Sequence, residues 1–202
     1  MEISVFEKML QTHEQWYQQT ISGVGEPDES DKLNLEDETL QNYQTDGVLL
    51  HDAAFSGTDI ISSRFDNTDL SHAYIYQCHF RQTIFTNSNF KKAQLQDCEL
   101  TDVTFQSCIL PHISLEGCTL RNVCFIDCDL DWAYFSEGAY EHIIFRRCRL
   151  EGTVITDLTL THPAFEENKI TDNYPVQVSD VVIQDAKGSR TVGSFAALTQ
   201  GI

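Results

Sequence analysis

The stretch AQLQDCELTDVTFQSCILPH, residues 93–112, decides the fold. It divides into four groups of five, and the third residue of each group is large and apolar: Leu95, Leu100, Phe105 and Leu110. Two places earlier the side chain is usually small, as at Ala93, Cys98 and Cys108. Working outward, the rule holds from Leu50 to Ile170 at 25 consecutive fifth positions. With 41% hydrophobic residues in the chain, chance gives such a run with a probability of roughly 10⁻¹⁰. Leu35 and Leu40 extend the grid upstream, whereas Thr45 breaks it.

A period of five suits neither a helix nor a simple strand, whose side chains repeat every 3.6 and 2 residues. It suits one side of a squared coil. The large central residue and the small one two places before it point inward, and the other three face water. Positions 20 apart then share an environment. Phe65, Phe85, Phe105, Phe125, Phe145 and Phe165 form an unbroken phenylalanine column. Cys108, Cys128 and Cys148 fall in one small-residue column, and Cys78, Cys98 and Cys118 in another.

The pattern, a small residue followed by Asp or Asn, Leu or Phe and two free positions, resembles the pentapeptide-repeat family. Good copies are Thr68-Asp69-Leu70, Ser88-Asn89-Phe90 and Cys128-Asp129-Leu130. The resemblance covers about 120 residues of the chain. It implies an all-β solenoid, a right-handed quadrilateral β-helix with four pentapeptides per turn. The uninterrupted grid then makes about six coils, a rod roughly 30 Å long at the inter-strand spacing of about 4.8 Å. The expected organisation is an N-terminal helix and acidic connector over 1–45, the β-helix over 46–172, and a capping or dimerising segment over 173–202.

Both ends of such a coil need caps, because no coil closes its own core. Residues 4–20 read as an amphipathic helix that plugs the N-terminal mouth. Phe6, Met9, Leu10, His13, Trp16 and Tyr17 share one face, and Ser4 with Glu7 suggests a capping box. A His and Trp three apart ahead of the repeats, here His13 and Trp16, resembles what many bacterial and phage members of the family carry. Gly23 to Asp31 reads as an acidic connector. Beyond Ile170, a valine-rich stretch and a turn at residues 185–189 suggest a short hairpin. Ser194 to Ile202 could cap the coil or dimerise, as the C-terminal end does in several family members.

The formal charge is −18, with −8 in residues 1–45, −10 in 46–172 and none in 173–202. Such a chain repels nucleic acid and anionic membranes. It has no signal-peptide pattern and no apolar run of membrane-spanning length, which points to the cytoplasm. Six of the seven cysteines sit at inward positions and read as buried, reduced thiols, while Cys124 is expected to face outward. No catalytic motif is present, and no cofactor or metal is expected. His142 and His162 stack 20 apart, but two ligands are too few for zinc.

Function is left to the outward columns. One place before the phenylalanines lie Arg64, Ile84, Thr104, Cys124, Ile144 and Ala164, with Ile126 alongside. Such a stripe is a contact surface for the protein's own termini, a second subunit or a foreign partner. A second candidate is an aromatic corner of Tyr74, Tyr76, Trp132 and Tyr134, with Asp129 and Asp131 nearby. The reading is a non-catalytic scaffold that docks one protein, in a toxin-neutralising (immunity) or effector-associated role. The resemblance also implies an alternative: an acidic DNA mimic that occupies a type II topoisomerase such as DNA gyrase, as the quinolone-resistance members of the family do.

Overall fold

The computed structural model describes residues 1–23, 26–186 and 188–199. On three sides of the coil each pentapeptide forms a three-residue strand whose middle side chain points inward, as in Gln94–Gln96, Glu99–Thr101 and Thr104–Gln106. The chain then turns a corner on a residue with left-handed backbone, such as Asp97, Asp102 and Ser107 at φ 54°, 56° and 54°. That conformation crowds a Cβ, so Asn, Asp and Gly recur at the corners. Trp132, His142 and Arg147 adopt it as well, held there by the pairing on both sides.

Stacked coils give four faces. The first is an eight-stranded parallel sheet from Asn34–Glu36 to Gln177–Ser179. The second has nine strands, eight parallel from Thr39–Gln41 to Val181–Asp185 and Gly188–Val192 added antiparallel at its end. The third has seven, from Gln44–Asp46 to Ala164–Glu166. The fourth carries only single parallel bridges, running from Leu49 through Asp69, Asn89, Ile109, Asp129 and Arg149 to Lys169.

This is an all-β solenoid of about eight turns, not the six expected. The shorter count followed from starting the grid at Leu50. Thr45 breaks the apolar rule but not the coil, because Gln44–Asp46 pairs in register with Arg64–Asp66. Two places earlier Tyr43 is buried, its ring 5.1 Å from Phe6 and 5.9 Å from Phe65. A large ring at the small position fills the space that Thr45 leaves. At the other end the grid slips by three. Ile155 pairs with Val178 and Leu160 with Ile183, 23 residues apart. Tyr174 lies in the inserted stretch.

Inside, the phenylalanine column is a ladder of nearly parallel rings. Successive centroids from Phe65 to Phe165 lie 4.8 to 5.2 Å apart. The small inward position has a polar task. Thr83 Oγ1 donates to the carbonyl oxygens of Ile60 and Arg81, at 3.2 and 3.1 Å. Cys128 Sγ donates likewise to Phe105 and Ile126, both at 3.3 Å. Cysteine, serine and threonine thus fill one slot that rewards a small side chain with a single donor. All seven cysteines are free thiols. Cys78 and Cys128 are pushed well above the usual thiol range, first by the neighbouring thiol of the column and then by burial.

Tyr140 is the one tyrosine among these centres. It is fully enclosed, and its hydroxyl has no hydrogen-bond partner. An enclosed, unpaired hydroxyl costs on the order of 1–3 kcal/mol. Tyr140→Phe is therefore expected to raise the unfolding free energy by about 1 kcal/mol, read as a higher urea midpoint at unchanged slope.

Helix α1 (Ile3–Ser22) closes the N-terminal mouth with Phe6, Leu10, His13 and Trp16 buried. The proposed capping box is not formed. The N-cap is Glu2, no side chain caps the helix, and Ser4 lies inside its first turn. In the connector, Asp28 caps the short 3-10 turn Glu29–Asp31 by accepting from Ser30 N–H. Polar contacts fix the docking of this segment: His13 Nδ1 accepts the Leu33 N–H at 2.9 Å, at the head of the first strand, and the Met1 ammonium donates to the Thr39 carbonyl at 3.0 Å.

The bond to His13 needs a neutral imidazole, and burial lowers the His13 pKa below 6.5. The unfolded chain therefore takes up this proton at a higher pH than the folded one. The contribution is complete above pH 6.5 and is lost as pH falls toward the lower folded value. In a Trp132→Phe background, Trp16 emission is expected to shift to the red as the pH drops through this window, and a flat titration would contradict it.

At the C-terminal mouth, helix α2 (Phe195–Thr199) buries Leu198. Phe195 sets its ring edge-on against Phe165 at 5.3 Å. The described part of the last segment thus caps the coil, while residues 200–202 lie outside the described residues.

Candidate partner-binding surfaces

The third-face stripe is a true column. Arg64, Ile84, Thr104, Cys124, Ile144 and Ala164 pair in register, one per coil. Ile84 is 37% exposed, and Cys124, Ile126 and Ile144 are half-buried. Burial raises the Cys124 thiol pKa, so its position outside the core does not make it a ready thiolate. Ion pairs border the stripe at both ends, Arg64 with Asp66 and Arg146 with Glu166.

The aromatic corner is not one cluster. Tyr74 and Tyr76 share one strand, with ring centroids 6.3 Å apart. Tyr134 lies on the same face three coils away, with Gln94 and Ser114 between it and Tyr74. Trp132 stands at the preceding corner and packs elsewhere. Its ring lies 5.1 Å from Tyr174 and covers Gly152, where an added Cβ would come within 2.5 Å of it.

Asp129 and Asp131 are engaged as well. Arg149 pairs with both carboxylates, Asp131 is buried, and Asp131 Oδ1 accepts the Glu151 N–H at 3.0 Å. These two acids hold the fourth face together and do not ring the aromatics. A further outward apolar residue is Ile109, 49% exposed on the fourth face. It stands one place before Leu110, where an outward residue is expected, and reading that column would have found it.

His142 and His162 stack with centroids 4.8 Å apart, and His142 Nε2 lies 3.9 Å from Glu141 Oε1. Among the described residues, no group of three or more His, Cys, Asp or Glu side chains is placed to hold a metal ion. No helix among them is long and apolar enough to cross a membrane.

The family model described as "Pentapeptide repeat region" matches residues 58–135 and 98–173, more than half of the chain. No curated protein matches by sequence. Among solved structures, full-length QnrB1, a plasmid-mediated fluoroquinolone resistance protein, is 16% identical, with 69% of this chain and 94% of that one covered and a TM-score of 0.33. HetL, a pentapeptide repeat protein involved in heterocyst differentiation regulation in the cyanobacterium Nostoc, is 11% identical, covering 84% and 95%, with a TM-score of 0.28. A pentapeptide repeat protein of the Arabidopsis thaliana thylakoid lumen is 17% identical, covering 83% and 81%, with a TM-score of 0.19. On the family match and the five-residue grid together, the chain belongs to the pentapeptide repeat family.

Proposed function

We propose that the chain is a non-catalytic scaffold in the cytoplasm that docks a partner protein on its outward faces, in a toxin-neutralising or effector-associated role. The observation that carries this is the regular presentation of large side chains on rigid sheet. Ile84, Ile109, Tyr74 and Tyr134 are each more than a third exposed, and backbone pairing to the next coil fixes each one. Rigid presentation lowers the entropy lost on binding. The test is a crosslinked pull-down from the native host with the wild-type chain and with an Ile84→Glu/Ile144→Glu variant. A stoichiometric protein captured by the first and lost with the second supports the reading. Finding no stoichiometric protein with the wild type removes it.

Mimicry of DNA toward a topoisomerase is the second reading, favoured by the acidic rod. Magnitude weighs against it. The roughly six coils of residues 46–172 span about 30 Å, a length of B-DNA that carries about 18 charges, whereas they net −10. Unchanged gyrase supercoiling at micromolar protein would remove it.

A further inference from the structure

The charge of the coil is unevenly placed among its faces. All nine Lys and Arg residues of the stretch 46–172 lie outside the first face and its trailing corner. Arg81 and Arg121 stand on the second face, Arg64 and Arg146 on the third, Arg149 and Lys169 on the fourth. The first face carries Glu36 and Glu116 on its strands. The corner that follows it adds Asp37, Asp97, Glu137, Asp157 and Asp180, each in left-handed backbone at the edge of the sheet. Among the described residues, none of these seven acids pairs with a cation. On the other faces the arginines are spent locally, as Asp66 pairs with Arg64, Asp127 with Arg147 and Asp131 with Arg149, while Asp46, Asp69 and Asp102 meet the side-chain amides of Asn67, Asn89 and Asn122.

The same face presents Tyr74 and Tyr134, 43% and 41% exposed. A parallel sheet with open tyrosine rings, a carboxylate trailing edge and no cation on its strands, Lys91 and Lys92 standing at the opposite corner, is complementary to one kind of ligand. Guanidinium and ammonium groups are held by carboxylates and by the faces of aromatic rings. Corner acids one or two coils apart are separated by about 5–10 Å, and alternate residues of an extended chain repeat at about 6.8 Å. Nucleic acid and anionic lipid are repelled. A second copy is a poorer match: its own first face repels this one, Arg64, Arg146, Arg147 and Arg149 are tied to their own carboxylates, and Arg81, Lys91, Lys92 and Lys169 are spread over different faces and corners.

We infer that the first face and its trailing corner dock an extended, arginine- or lysine-rich segment of another protein, lying along the rod axis. This rests on the scaffold reading and names the face and the partner chemistry.

The test uses the full chain and a fluorescein-labelled decapeptide of alternating arginine and serine, followed by anisotropy at near-physiological salt. A first-face variant, Asp97→Asn/Glu137→Gln/Asp157→Asn, is compared with a second-face variant of equal charge change, Asp59→Asn/Glu99→Gln/Asp102→Asn. Each exposed pair contributes roughly twofold to threefold, so the first-face variant is expected to bind about tenfold more weakly. The second-face variant is expected to stay within about twofold. Tyr74→Ser/Tyr134→Ser, which leaves the charge unchanged, is expected to lose about threefold. Melting curves matching the wild type establish that all three are folded. Equal losses from the two charge variants overturn the inference, as does no loss from the first-face variant. Self-association abolished by the first-face variant, seen by sedimentation, also overturns it. In each case the host pull-down still decides the scaffold reading separately.

Discussion

Phe125→Ala lowers the unfolding free energy by about 4 kcal/mol, the cost typical of removing an enclosed phenyl ring. Phe125 has no exposed surface. It stacks at 4.8 Å on Phe105 and 5.2 Å on Phe145, and meets Phe135 edge-on at 6.1 Å. Truncation removes the transfer energy of the ring, leaves a void that the paired coils on either side cannot collapse around, and interrupts two stacked pairs. Phe165, in the same column, sits half-buried beneath the C-terminal cap, so Phe165→Ala is expected to cost less than half as much. Urea midpoints at unchanged slope measure both. Equal costs for the two positions would show that the column does not act as a ladder with a closed middle and an open end.

Phe6→Asp is expected to release the N-terminal helix from the coil while leaving the central coils folded. Phe6 is 1% exposed and meets Tyr43 edge-on. Its burial is worth about 3 kcal/mol, and a carboxylate in that mouth must either desolvate or leave. Once the helix leaves, the edges of Asn34–Glu36, Thr39–Gln41 and Gln44–Asp46 open to solvent, and open edges associate. The expected signs are a red shift of Trp16 emission, lost amide protection in residues 34–46 and concentration-dependent oligomers, with protection near Phe125 retained. Full protection of residues 34–46 in the variant would show that the helix is dispensable as a plug.

The coil was legible because one residue in five is under a severe constraint. Leu95, Leu100, Phe105 and Leu110 each face a filled interior, so the pattern admits almost nothing else. The ends were legible only in outline. Thr45 looks like a boundary until Tyr43 is seen filling its space, since the register is kept by backbone pairing that no side chain announces. The three-residue slip before Gln177 left no mark in the composition. Among the surface candidates, the third-face column of Ile84 and Ile144 could be read directly from a spacing of 20. The supposed corner of Tyr74, Tyr76, Trp132 and Tyr134 could not. Nearness on a face depends on how many coils intervene, and Trp132 was captured by Tyr174, a residue outside the grid. Asp131 was misjudged for a similar reason: its arginine partner is 18 residues away, one coil along, and only a coil-by-coil map puts the two together.

The spacing of 20 residues between every pair of parallel strands, widening only to 23 at the last coil, also bears on how the chain reaches this state. Each new coil is closed by a loop of the same short length, however many coils precede it. The entropy of closure per coil is therefore constant, and the mean sequence separation of contacts does not grow as the chain lengthens, unlike in most β-proteins. Length is then an adjustable dimension. Twenty residues in the right pattern, inserted between two corners in the middle of the rod, should extend it by about 4.8 Å with little change in folding rate, and carry every outward column one step further.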